Sequence, residues 1–99
     1  MTEKTIEPKI FDAADYLETA ADQADILADA VATGDVHYIS YALGAVARAR
    51  GGIAKLARET GLNRPSLHEA LSEHGNPTLD TLLKVTKALG LRLRIDEAA

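Results

Sequence analysis

The 99-residue chain has no cysteine and no tryptophan, one phenylalanine and three prolines. Without cysteine there is no disulfide framework and no thiolate metal site. Apolar residues make up 46% of the chain, but much of that share is alanine. A core of small side chains favours close helix packing and modest stability, and self-association is a natural supplement. No apolar run approaches the ~20 residues that span a bilayer. The opening MTEKTIEPK lacks a signal-peptide core, so the expected location is the cytoplasm. The length suits one domain, or one domain with a short extension. Catalytic patterns are missing as well: there is no glycine-rich phosphate loop and no nucleophile-and-base arrangement. His68-Glu69 comes nearest to a zinc motif, but the next histidine is His74. That is six positions after His68 rather than four, and the pair would not share a helix face. No enzyme, cofactor or metal is expected.

Positive charge is also scarce, and it is unevenly placed. The net charge is −4. Residues 1–47 hold two bases (Lys4, Lys9) against nine acids, a net of −7. Residues 48–99 hold nine bases against six acids, a net of +3. Arg48, Arg50, Lys55, Arg58 and Arg64 lie within seventeen residues that contain one acid, Glu59. A local basic patch is what phosphate binding needs, whatever the global sign. The acidic half suits a second, basic partner, or else a solvated surface that keeps a small protein soluble.

The stretch Ile53 to Ser72, IAKLARETGLNRPSLHEALS, predicts two short helices and a tight turn. The first runs from Ile53 to about Thr60, with Ile53, Leu56 and Ala57 on one face. Gly61 permits a positive φ that ends it sharply, and Leu62 turns inward. Asn63 suits the N-cap of the second helix, and Pro65 falls in its first turn, where a missing N–H costs nothing. Leu67, Ala70 and Leu71 continue the apolar face. Asn63, Arg64, Ser66, His68 and Glu69 then point away from the core. A small residue, a glycine four later, and apolar positions one, six and nine beyond it form a helix-turn-helix pattern. The second helix of such a unit lies in the DNA major groove, with its N-terminal residues at base edges. An ordinary helical hairpin is the plainer alternative.

In chain order, residues 1–10 show no periodicity and are expected to fray, with Pro8 against an early helix. Phe11, Ala14 and Leu17 predict one or two helical turns from Asp12, a plausible cap, to about Glu18. A helix over Ala20–Thr33 places Ala24, Leu27 and Val31 on one face and Asp22, Asp25 and Asp29 on another; Gly34 stops it. Asp35 caps a third helix to about Arg50, with Val36, Ile39, Leu43 and Val46 as its stripe and Gly44 and Ala45 open to a close neighbour. Tyr38 and Tyr41 flank it, His37 is a surface residue, and Gly51-Gly52 breaks it. After a loop at Glu73–Pro77, Thr78 caps a helix to Leu89 that buries Leu79, Leu82, Leu83, Thr86 and Leu89; Gly90 ends it. Leu91, Leu93 and Ile95 then alternate with Arg92 and Arg94, the period of a strand. A lone strand cannot satisfy its backbone, so pairing with a second copy or another sheet edge is expected.

These residues carry a family resemblance. The run ARARGGIAKLARETGLNRPSLHEALSEHGNPTLDTLLKVTKALGLRLRI, Ala47 to Ile95, resembles HigA-like addiction-module antidote (antitoxin) proteins of the Xre/Cro-like helix-turn-helix superfamily. Its most specific parts are Gly-Leu-Asn-Arg-Pro-Ser-Leu and Gly-Asn-Pro-Thr-Leu. Phe11 to Leu17, an acidic helix and Gly34-Asp35 are similar to the family's N-terminal part, so the likeness covers nearly the whole chain. It implies an all-α, lambda-repressor-like bundle over 35–99 with a short C-terminal strand, and an acidic helical extension over 1–34. It further implies an antitoxin that neutralises a small basic RelE/ParE-like (HigB-type) toxin and represses its own operon as a DNA-binding homodimer. A stand-alone Xre-type dimeric regulator is the alternative. Carried over by position, the DNA-reading residues are Asn63, Arg64, Ser66, His68 and Glu69. Many members of the superfamily have a phosphate-binding Gln where this chain has Ile53, which shifts weight onto Arg50, Lys55 and the backbone N–H groups there.

Each side chain has its own chemistry to offer. Arg64 can grip guanine in bidentate fashion or hold a phosphate. Ser66 serves either, and His68 reaches a base or solvent. Glu69 must face a cytosine amino group or pair with an arginine. Arg48, Arg50, Lys55 and Arg58 are candidates for sequence-independent affinity through counterion release, although Arg58 can instead lay its stem over the core. Arg92 and Arg94 are open to DNA, a partner or water.

Overall fold

A computed structural model describes residues 13–98. A four-residue 3-10 turn, Ala13–Tyr16, leads into five α-helices: α1 Ala20–Thr33, α2 Val36–Ala49, α3 Ile53–Thr60, α4 Arg64–Ala70 and α5 Leu79–Ala88. Phe11, Asp12 and residues 1–10, for which a cap and fraying were expected, lie outside the described residues. The helical turn expected before α1 is a 3-10 turn, Ala13–Tyr16, after which Leu17 is buried.

Local chemistry sets the helix ends. Thr19 and Asp22 form a reciprocal capping box at α1. Asp35 accepts from the N–H groups of His37 and Tyr38 at the start of α2, and Thr78 accepts from Thr81 N–H at α5. Gly34 and Gly61 take φ values of 71° and 74° after α1 and α3, where a side chain would be strained.

The middle of α2 is buried all round. Ser40 and the run Ala42 to Ala47 are shielded from solvent, and α1, α3 and the 3-10 turn pack against this helix. Gly44 is required there, because a Cβ would overlap the Leu71 carbonyl at the end of α4. Leu43, Val46, Leu56, Leu67, Leu71, Val85 and Leu89 complete the core, with Leu62 and Ile39 packed at its edge.

Three expectations are corrected. First, α1 buries Gln23 and Ala30, with Ile26 and Leu27 partly covered, while Ala24 and Val31 face solvent. The polar Gln23 is admitted because both ends of its amide are bonded: Nε2 donates to Leu17 O at 3.1 Å, and Oε1 accepts from Arg50 Nη1 at 3.2 Å. Second, on α5 the buried side chains are Val85, Thr86 and Leu89; Leu79 is 70% exposed and Leu83 50%. The helix carries more leucine than the core can cover.

Third, no strand is present among the described residues, and Leu91 to Ile95 has no regular structure. Gly90 N–H bonds Lys87 O, and Leu91 N–H bonds Thr86 O. With Gly90 at φ 73° and Leu91 packed on the core, this is a Schellman cap with its hydrophobic contact. Leu91 therefore belongs to the end of α5. Ile95 beyond it is fully exposed, and Arg94 pairs with Asp96 at 3.0 Å. The case for a dimer through pairing of Leu91–Ile95 falls with the strand.

Candidate nucleic-acid interface

Helices α3 and α4 meet across a three-residue turn, Gly61 to Asn63. Gly61 N–H returns to Ala57 O at 2.9 Å. Thr60 Oγ1 donates to Leu56 O at 2.8 Å and accepts from Leu62 N–H at 3.3 Å, which fixes the path out of α3. Asn63 Oδ1 then accepts from Ser66 N–H at 2.9 Å as the α4 N-cap, and Pro65 sits in the first turn. Leu67 and Leu71 anchor the inner side of α4. Arg64, Ser66, His68 and Glu69 stand exposed on its outer side, with Asn63 exposed at its start.

The loop after α4 is pinned as firmly as the helix. Gly75 is buried, and a Cβ there would overlap the Ala70 carbonyl. The Gly75 carbonyl lies 3.1 Å from His37 Nδ1 and accepts from Ser40 Oγ at 3.0 Å. His37 is exposed, as expected, and also ties the start of α2 to this loop. An open cleft runs between α4 and the loop, lined by Pro65, Ser66, Glu69, His74 and Asn76. His74 and Asn76 border the same surface as the α4 row. The only hint of this in the sequence is the breaker-rich run Glu73–Pro77 directly after α4.

The basic side chains do not act as one group. The Arg48 guanidinium lies 5.8 Å from the centre of the Tyr41 ring, within reach of a cation–π contact. Lys55 pairs with Glu59 at 3.1 Å, both half exposed, a pair worth little at a wet surface. Arg50 leans the other way: it donates to Gln23 of α1, and its guanidinium lies close to Gly90 at the end of α5. Arg58 is exposed on α3. The N-cap of α3 is Gly52, with no side-chain hydrogen bond. Its first-turn N–H groups therefore lack a side-chain acceptor, and the helix dipole there favours an anion. Among the described residues no set of three or more His, Asp or Glu side chains is placed to hold a metal ion, and no helix is long and apolar enough to cross a membrane.

The protein is thus an all-helical chain with a short, tightly capped helix pair whose second member presents a polar row. It belongs to the family of probable addiction module antidote proteins, whose model matches residues 7–97. Over 90 residues it is 37% identical to an uncharacterized protein of Haemophilus influenzae (strain ATCC 51907 / DSM 11121 / KW20 / Rd), which covers 91% of this chain and 92% of that one. No solved structure matches the chain. Membership makes this an antitoxin-type protein and implies a cognate toxin as its partner. The HigA-like and Xre/Cro-like assignments are narrower than that description.

Proposed function

We propose that the chain neutralises a RelE/ParE-like (HigB-type) toxin by direct binding and represses its own operon by reading DNA with α3 and α4 as a helix-turn-helix. The family supports the antidote role. The DNA reading rests on one observation: Arg64, Ser66, His68 and Glu69 are all exposed on a helix whose opposite side, Leu67 and Leu71, is locked into the core. In this reading the first turn of α4 enters the major groove. Phosphates meet Lys55, Arg48 and the open N-terminus of α3, while Arg50 serves mainly to hold α1. A homodimer matches the two half-sites of an operator, and the exposed Leu79 and Leu83 on α5 supply an apolar face for it. The chain acts by binding, without catalysis.

Titration of DNA from directly upstream of its own gene, beside random duplex, tests this reading. Arg64→Ala should lower the preference for the upstream sequence by about tenfold or more. Lys55→Ala should weaken both DNAs alike and reduce the salt slope by about one. If both variants bind both DNAs as the native chain does, α4 is not the reading helix.

A further inference from the structure

Residues 10–47 contain no lysine or arginine. From Ala13 to Val36 there are six acids: Asp15, Glu18, Asp22, Asp25, Asp29 and Asp35. The ion pairs seen between described residues lie between Lys55 and Asp96, and none of these six carboxylates is in one of them. Asp22 and Asp35 accept backbone N–H groups as helix caps. Asp15, Glu18, Asp25 and Asp29 stand exposed. Asp22, Asp25 and Asp29 follow one another along α1 at about one helical turn, ~5.4 Å, per step.

Two aliphatic side chains stand beside this acidic row, with Val31 on the other flank of the outer face of α1. Val31, in the last turn of α1, is 58% exposed, and Val36, the first residue of α2, is 47% exposed. They flank the Gly34 turn. Between the aspartates the outer face of α1 carries only Ala20, Ala21, Ala24, Ala28 and Ala32, all exposed. These side chains end at Cβ, so a partner can approach the helix closely and meet the valines without a barrier of long side chains. Apolar contacts bordered by polar ones are the usual build of a protein interface.

We propose that the α1–α2 corner is the docking surface for the toxin: Val31 and Val36 anchor it, and Asp25 and Asp29, across the exposed alanines of α1, face a cationic surface on the partner. This rests on the antitoxin reading above and gives it a location. Charge complementarity selects the occupant. A stretch from Ala13 to Val36 with six acids and no lysine or arginine repels nucleic acid and a second acidic corner, and it attracts a basic protein.

The test is calorimetric titration of the full chain with the purified protein encoded beside it, followed by the same titration with Val31→Lys, Val36→Gln and the double variant Asp25→Lys/Asp29→Lys. All three sites are on the surface, so circular dichroism should be unchanged. Each variant should lower affinity about tenfold or more, and the native interaction should weaken as salt rises. If the native chain binds and all three variants bind equally well, the corner is overturned while the antitoxin reading survives; Leu79→Asp then asks whether α5 is the interface instead. If the native chain does not bind the neighbour at all, the antitoxin reading and the corner fall together.

Discussion

The two ends of this molecule are helical to a similar extent but are held in different ways. The C-terminal part, α2 to α5, closes around Leu43, Val46, Leu56, Leu67, Leu71, Val85 and Leu89, and two of its glycines, Gly44 and Gly75, are fitted against the carbonyl groups of Leu71 and Ala70. The N-terminal part, from Ala14 to Gly34, buries only Leu17, Gln23 and Ala30. One of these is an alanine and one is polar. In the proposed reading the first part needs rigidity, because base readout would depend on where α4 stands. The second keeps its apolar and charged groups outward, where a partner protein can use them. Gln23 joins the two: its amide bonds Leu17 on one side and Arg50 of the packed part on the other.

This contrast can be broken or sharpened by substitution. The largest effect is expected at Gly44, where any side chain meets the Leu71 carbonyl. Gly44→Val should cost about 3 kcal/mol or more, because the contact is with backbone that cannot turn aside; urea denaturation would show it as a lowered midpoint. Next comes a matched pair of truncations. Leu43→Ala, at a fully buried site, should cost about 3 kcal/mol, and Leu27→Ala on half-buried α1 about 1 kcal/mol. Equal losses would mean that α1 is as much a part of the core as α2. The smallest effect is local. Gln23→Met removes both amide bonds at a cost of about 1 kcal/mol. It should speed hydrogen exchange in α1 while leaving α3 and α4 protected. If exchange rises throughout, the two parts open as one unit.

The same contrast governs how much could be read before the fold was seen. The boundaries of α3 and α4 follow from Gly61, Asn63 and Pro65, whose effects act within a few residues. The outward set Arg64, Ser66, His68 and Glu69 follows directly from them. Facing is harder where apolar residues outnumber the core positions. In α5, helix periodicity allows Leu79 and Leu83 as readily as Val85, and only the tertiary contacts decide. In α1, an alanine-rich sequence leaves the buried side open, and no apolar pattern nominates Gln23. The tail misleads for a related reason: Leu91 is apolar because it closes a helix cap, not because it starts a strand. The ties from His37 and Ser40 to Gly75 span more than thirty residues, and no local pattern encodes them.

The central claim is that one small chain carries two separate recognition surfaces, one on α4 for DNA and one on α1 for a toxin. Its most direct test is a paired titration of the native chain, Arg64→Ala and Asp25→Lys/Asp29→Lys, each against upstream DNA and against the neighbouring toxin. The account predicts a double dissociation: Arg64→Ala loses DNA discrimination and keeps the toxin, while the charge-reversed α1 loses the toxin and still discriminates between DNA sequences. If each variant loses both partners, or neither variant loses its own, the division of the molecule into a reading half and a docking half is wrong.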